Sequence, residues 1–260
     1  MTASTDPTIP TVPIPATVRI AALGDIHFGR TPLIPLPPLF AEIEQRADVL
    51  CICGDLTDTG LPEHARALLK DLSELKLPKV AVLGNHDHEA GRGDELKLIF
   101  NDAGVRVLDG DAFEVSGIGF AGVKGFAGGF GRRTLGPWGE RAIKDFVQEA
   151  INEALKLETA LARLRTDRKV VLFHYSPIAG TVEGEPLEIY PFLGSSRLEE
   201  PLGRYAVDAV FHGHAHHGAP EGRAATGTPV YNVSMALLQR TWPDRSPFRV
   251  IELETRNGRP

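Results

Sequence analysis

Leu83-Gly84-Asn85-His86-Asp87 follows the short apolar run Val80-Ala81-Val82. A buried strand ends there and a loop begins, carrying an amide, an imidazole and a carboxylate within one turn of chain. Alone, Asn-His-Asp after a glycine is ordinary turn chemistry. The arrangement recurs, however. Gly24-Asp25-Ile26-His27 follows Val18 to Leu23, and Gly54-Asp55-Leu56-Thr57-Asp58 follows Val49 to Cys53. His174 follows Val170 to Phe173, and Gly213-His214-Ala215-His216 follows Ala209 to Phe211. Each strand-like run delivers Asp, Asn or His at its carboxyl end, where α/β sheets place their ligands.

Working outward, strands alternate with helices. Strands are expected over 17–23, 49–53, 79–83, 105–108, 112–115, 118–123, 169–173, 207–211, 229–233 and 248–253. The prolines between Thr31 and Pro38 exclude a regular helix interior there, so the first helix is expected over 39–46. A second opens at Pro62, buries Ala65, Leu68, Leu69, Leu72 and Leu75, and is ended by Pro78. A third covers about 94–103. Residues 124–139 are glycine-rich, interleaved with Phe126, Phe130 and Trp138 and with Lys124, Arg132 and Arg133. Such a stretch is either a lid that grips the substrate or a surface excursion. A long helix over 140–165 carries Ile143, Phe146, Val147, Ala150, Ile151, Ala154, Leu155, Leu161 and Ala162 at a period of 3.6 and is expected to pack on a sheet. Residues 176–203 are irregular and proline-punctuated, an outer wall with a short helix.

A chain of 260 residues can bury a full core. We expect a single domain over 17–255, with tails at 1–16 and 256–260. Hydrophobic content of 42% and charged content of 24% are those of a globular protein. A net charge of −6 gives no footprint for long nucleic acids. The two cysteines, Cys51 and Cys53, share one face of a strand and read as core residues. No stretch is long and apolar enough to cross a bilayer. The N-terminus lacks the basic and apolar regions of a signal peptide, so the expected location is the cytoplasm without a membrane partner.

The strand ends collect Asp25, His27, Asp55, Asn85, His174, His214 and His216, hard oxygens mixed with imidazoles. That mixture suits Mn, Fe or Zn. There are more donors than one tetrahedral ion needs, and two ions sharing a carboxylate fit better.

In order and spacing, Asp25-x-His27, Gly54-Asp55, Gly84-Asn85-His86-Asp87, His174 and Gly213-His214-x-His216 resemble the calcineurin-like metallophosphoesterases. The resemblance runs from Asp25 to His216. It implies an α/β fold of four α-β-β-α layers, two mixed sheets flanked by helices. It implies Asp25, His27, Asp55 and His216 as ligands of a first metal, and Asp55, Asn85, His174 and His214 as ligands of a second, with Asp55 bridging. The nucleophile is then a hydroxide held between the ions. His86 is implied as the group that stabilises the transition state and protonates the leaving oxygen, and Asp58 as the residue that hydrogen-bonds it.

The compact motifs look most like the bacterial cyclic-nucleotide phosphodiesterase-like branch. Asp58 is followed by Thr59-Gly60, not by the Arg-Gly of the protein phosphatases. The resulting expectation is hydrolysis of small phosphodiesters, cyclic nucleotides first, with a phosphomonoesterase or pyrophosphohydrolase as the enzymatic alternative. A non-catalytic scaffold should have lost ligands or His86, and this chain keeps them. Phe126 and Phe130 could stack on a base, Arg132 and Arg133 could hold phosphate, and His212 and His217 could donate to phosphate or support a ligand. The long helix could pack inward or form a homodimer.

Overall fold

The computed structural model describes residues 15–255. In chain order its first half holds β1 (Thr17–Leu23), α1 (Leu36–Arg46), β2 (Val49–Cys53), α2 (Pro62–Leu72), β3 (Lys79–Val82), α3 (Gly93–Asp102), β4 (Val105–Val107), β5 (Asp111–Val115) and β6 (Ile118–Gly122). The second half holds α4 (Arg141–Arg163), β7 (Arg168–Leu172), the short α5 (Tyr190–Leu193), β8 (Ala209–His212), β9 (Glu221–Arg223), β10 (Pro229–Asn232), α6 (Met235–Thr241) and β11 (Arg249–Glu254).

Two sheets form. The first has the order β11-β1-β2-β3-β4, parallel except for β11; the second has the order β5-β6-β7-β8-β10-β9, parallel except at its two outer pairs. Side-chain alternation explains the layering. Val18, Ile20, Ala22, Val49, Cys51, Cys53, Val80 and Val82 point one way and meet Ile118, Phe120, Val170, Leu172 and Phe211 of the second sheet. Ala21, Leu23, Leu50, Ile52 and Ala81 point the other way, onto Phe40, Ile43, Leu68, Leu72, Leu96 and Phe100 of α1, α2 and α3. On the far side, Ala121, Val123, Val171 and Val210 pack on Leu157, Ala160 and Leu161 of α4. The result is two mixed sheets flanked by helices, four layers in all. Both faces of the central strands are buried, which is why they read as unbroken apolar runs.

Several boundaries differ from expectation. α1 begins at Leu36, with Pro37 and Pro38 in its first turn, where the missing N–H groups have no helical partner to lose. α2 ends at Leu72, ahead of Pro78, while Leu75 stays buried in the turn beyond. On α4 the buried stripe runs through Val147, Ala150, Glu153, Ala154, Leu157, Ala160 and Leu161. Leu155 and Ala162 are exposed instead. β9 and α6 were not expected. The expected tails lie outside the described residues apart from Pro15 and Ala16, and the Ala16 carbonyl accepts from the Thr255 N–H at 2.9 Å.

The glycine-rich stretch is stitched to the wall around α5. Gly128 and Gly129 donate to the carbonyls of Pro191 and Gly194 at 2.7 and 2.9 Å, and Ser196 N–H donates back to Gly129 at 3.1 Å. Among the described residues no helix is long and apolar enough to cross a membrane.

Candidate metal centre

The carboxyl ends of β1, β2, β3, β7 and β8 converge at one end of the two sheets. Side-chain-bearing residues at positive φ mark the spot: Asp25, His27, Asp55 and His214 have φ of 59°, 49°, 47° and 68°. Ser116, at 54°, is the only other such residue among those described. Strained backbone of this kind persists where the surroundings hold it, and it clusters at functional sites. The preceding glycines make room. A Cβ on Gly84 would collide with Oδ1 of Asp55, and one on Gly213 would lie 2.5 Å from Oδ2 of Asp25.

Asp25, His27 and His216 bring one donor atom each within 4.8 Å of one another, and so do Asp55, His174 and His214. Asp55 stands between the groups, with Oδ2 3.6 Å from Nε2 of His27 and Oδ1 3.5 Å from Nε2 of His174. Nε2 of His216 lies 3.2 Å from Oδ1 of Asp25.

The hydrogen bonds behind these residues show which atoms are left over. His174 donates from Nδ1 to the Cys53 carbonyl at 3.0 Å, so its Nε2 carries a lone pair. That lone pair faces Oδ1 of Asn85 at 2.8 Å, also an acceptor. His214 donates from Nε2 to the Phe192 carbonyl at 3.2 Å, which leaves Nδ1 for a ligand. His27 donates from Nδ1 to Asp58 at 3.1 Å, and its Nε2 is buried with no partner. Acceptors turned toward one another, one of them orphaned, fit a positive centre among them.

Electrostatics agrees. Burial pushes the carboxyl of Asp55 well above its ordinary range, and the charges of Asp25 and Asp87 add to this. Burial also opposes the charge on Asp25, but the hydrogen bond and charge of His216 outweigh it and hold that carboxyl low. Burial drives His27 down to about 4 and His174 well below its usual value. Neutral imidazoles beside a carboxylate short of positive charge are the donor set a divalent ion takes. Asp25, His27 and His216 would hold one ion and Asn85, His174 and His214 another, with Asp55 reaching both.

Comparison with known proteins bears on the same residues. The calcineurin-like phosphoesterase family matches residues 18–218. The chain belongs to that family. A probable glycerophosphodiester phosphodiesterase, GpdQ of Arcobacter nitrofigilis, is 24% identical over 188 residues, 67% of this chain and 58% of the relative. The chain thus spans just over half that relative's length. Among solved structures, phosphopantetheinyl hydrolase PptH of Mycobacterium tuberculosis superimposes with a TM-score of 0.66 at 17% identity, covering 94% of this chain and 99% of the other. TT1561 of Thermus thermophilus gives 0.53 at 16% identity, covering 92% and 100%. At these identities the likeness is one of fold.

Within this calcineurin-like phosphoesterase, His86 sits on the rim of the centre. Its main-chain N–H donates to Oδ1 of Asp55 at 2.9 Å, and its ring meets that of His27 edge-on at 4.6 Å. Asp58 does hydrogen-bond His86, but through its main chain. Nδ1 of His86 donates to the main-chain carbonyl of Asp58 at 2.7 Å, while the carboxylate is 3.8 Å away. The Asp58 carboxylate instead takes His27 at 3.1 Å and Arg30 at 2.8 Å.

Four expected substrate contacts do not fit that role. His212 is fully buried in β8, held by Gly213 and Thr181 at 2.8 Å each, and cannot reach a substrate. The half-buried ring of Phe126 is already engaged, by Phe146 with centroids 4.9 Å apart and by Nζ of Lys124 4.9 Å above it. Phe130 packs on Val182, Leu193 and Ala215 beneath the centre. His217 accepts from Arg240 at 2.9 Å on the outside. Arg132 and Arg133 are exposed on a single turn of the glycine-rich stretch.

Residues given no role from sequence also matter. Asp87, fully buried, accepts from Gly84, Leu56 and Thr57 main-chain N–H groups and from the Thr57 hydroxyl, at 2.8 to 3.1 Å. It ties the loop after β3 to the loop after β2. Tyr175 packs against His214 with centroids 4.4 Å apart and the rings tilted by 50°. Arg30 pairs with Asp58.

Proposed function

We propose that this chain is a phosphodiesterase for small phosphodiesters, working with two metal ions drawn from Mn, Fe and Zn. The observation that carries the reading is the place of Asp55, with one oxygen toward His27 and the other toward His174. A carboxylate so placed serves two positions, as two-metal hydrolases require. Bound metal supplies charge neutralisation at the phosphoryl oxygens and an activated water.

The chain's own residues do the rest. Asp55 and Asp25 are kept in register by main-chain N–H donors, from His86 at 2.9 Å and His214 at 3.0 Å. The Nδ1–H of His86 is committed to the Asp58 carbonyl, so Nε2 is the atom left to face the reacting phosphate. Protonated there, it donates to a phosphoryl oxygen as charge builds, or hands its proton to the departing alcohol.

Preference for a diester follows from charge. A monoester brings two negative charges and gains from an unpaired cation at the centre. The guanidinium beside His86 belongs to Arg30 and is neutralised by Asp58 at 2.8 Å. The relative described as a probable glycerophosphodiester phosphodiesterase supports the same class. With the Phe126 ring engaged elsewhere, we place linear diesters of small alcohols ahead of cyclic nucleotides.

The test is hydrolysis by Mn-loaded protein of a bis(aryl) phosphate, a glycerophosphodiester, a cyclic nucleotide and an aryl monophosphate. Faster cleavage of linear diesters than of the others is expected. Turnover confined to the monoester would move the function to a phosphatase.

A further inference from the structure

One oxygen, Oδ1 of Asp58, lies among three nitrogen donors: Nη2 of Arg30 at 2.8 Å, Nδ1 of His27 at 3.1 Å and Nδ1 of His86 at 3.8 Å. His86 does not need it, because the main-chain carbonyl of the same residue already accepts from that nitrogen. His27 does need it. Donation from Nδ1 to Asp58 leaves the lone pair of His27 on Nε2, the buried atom without a partner that points at Asp55. The carboxylate is thus left to His27, and something must hold it there.

Arg30 is placed to do so. Its N–H donates to the His27 carbonyl at 3.1 Å, closing a tight turn that sets the guanidinium beside the loop after β2. Asp58 N–H donates to the Phe28 carbonyl at 3.0 Å, bringing the two loops together. With the guanidinium bound, the carboxylate rests on His27.

We propose that Arg30 is a positioning residue for the metal centre. It holds Asp58 against Nδ1 of His27, fixes Nε2 as the ligand atom, and so sets the affinity of the Asp25–His27–His216 position separately from that of the Asp55–His174–His214 position. The inference rests on the two-position reading of the centre and is independent of which phosphoester is cleaved.

Equilibrium titration of the full metal-free chain with Mn(II) tests it directly. The wild type is expected to show two classes of bound ion. Arg30→Ala should weaken one class about tenfold and leave the other unchanged, with Arg30→Lys recovering part of the loss. Asp58→Ala should weaken the same class by about 10–100-fold, as loss of the partner of a metal-bound histidine does. The double variant should bind no more weakly than Asp58→Ala alone, because Arg30 acts only through Asp58. Additive losses would overturn the proposal. So would a raised KM in Arg30→Ala with both classes intact, which would make Arg30 a substrate contact, or equal weakening of both classes, which would mean general disruption. A wild type with a single class would overturn the two-position reading, and the proposal with it.

Discussion

His86 touches the centre twice, by chemistry that can be separated. Its main-chain N–H holds Asp55, and its ring lies on the rim with Nδ1 bonded to the Asp58 carbonyl. His86→Ala removes only the second, so kcat is expected to fall by roughly 10²–10³-fold with metal content unchanged, checked by turnover and metal analysis on one sample. Loss of metal in that variant would mean that the ring is structural. Asp87, its neighbour, does the opposite work. It has no exposed surface and receives four hydrogen bonds from two loops. Asp87→Ala leaves those donors buried and unpaired, and a loss of about 3 kcal/mol in urea unfolding is expected. The sequence order made Asp25, His27, Asp55, Asn85, His174, His214 and His216 legible, since each follows a strand and carries ligand chemistry. Asp58 was legible as a participant but not in its contacts. Its main-chain carbonyl serves His86 while its carboxylate meets His27 and Arg30, and no spacing rule says which part of the residue meets which partner.

The strands of the first sheet could be read because both faces of β1, β2 and β3 are buried, so the apolar runs are continuous. α4 was legible as a helix packed on a sheet, with Val147, Ala150, Ala154 and Leu161 on its buried face, but its stripe was read incompletely. Glu153 occupies a stripe position between Ala150 and Leu157 and is almost wholly buried. An apolar pattern passes over an acid, yet this one accepts from the Gly125 N–H at 2.8 Å and from Nζ of Lys156 at 2.8 Å. It thereby pins α4 to the first turn of the glycine-rich stretch, immediately beyond β6. Glu153→Ala strands the buried Gly125 N–H and frees Lys156. A stability loss of about 2 kcal/mol is expected, and amide exchange should quicken at 124–129 ahead of the rest of the chain. Uniform exchange across the molecule would show that the pin is not local. Gly128 and Gly129 are held by main-chain bonds to the α5 wall, which side-chain composition does not encode. A composition that reads as a lid can therefore belong to a stitched loop.

At the scale of the whole molecule, the two sheets meet along an apolar seam that ends in buried imidazoles. Burial lowers His27 and His212 to about 4, and His174 and His214 also lie below the usual histidine value. The unfolded chain takes up protons on these groups near 6.5, whereas the fold refuses them until lower pH. Between about 6.5 and 4 the unfolded state binds more protons, so stability is present above that window and is lost as pH falls through it. The steepest slope is about 1.4 kcal/mol per pH unit for each such group. Asp55 acts with the opposite sign. Its raised carboxyl makes the metal-free fold lose stability as pH rises above the ordinary carboxylate range. Metal-free protein is thus strained from both sides, by neutral histidines in acid and by a crowded carboxylate near neutrality. Bound metal relieves the second strain and deepens the first, because protons and metal compete for the same imidazole nitrogens. Adding a chelator at pH 7.5 is therefore expected to lower Tm, in line with mass-action linkage. The gap in Tm between metal-loaded and chelated protein should shrink steadily as pH is brought from 7.5 to 5, read by thermal scans of both forms in matched buffers. A gap independent of pH would place the metal on groups other than these histidines.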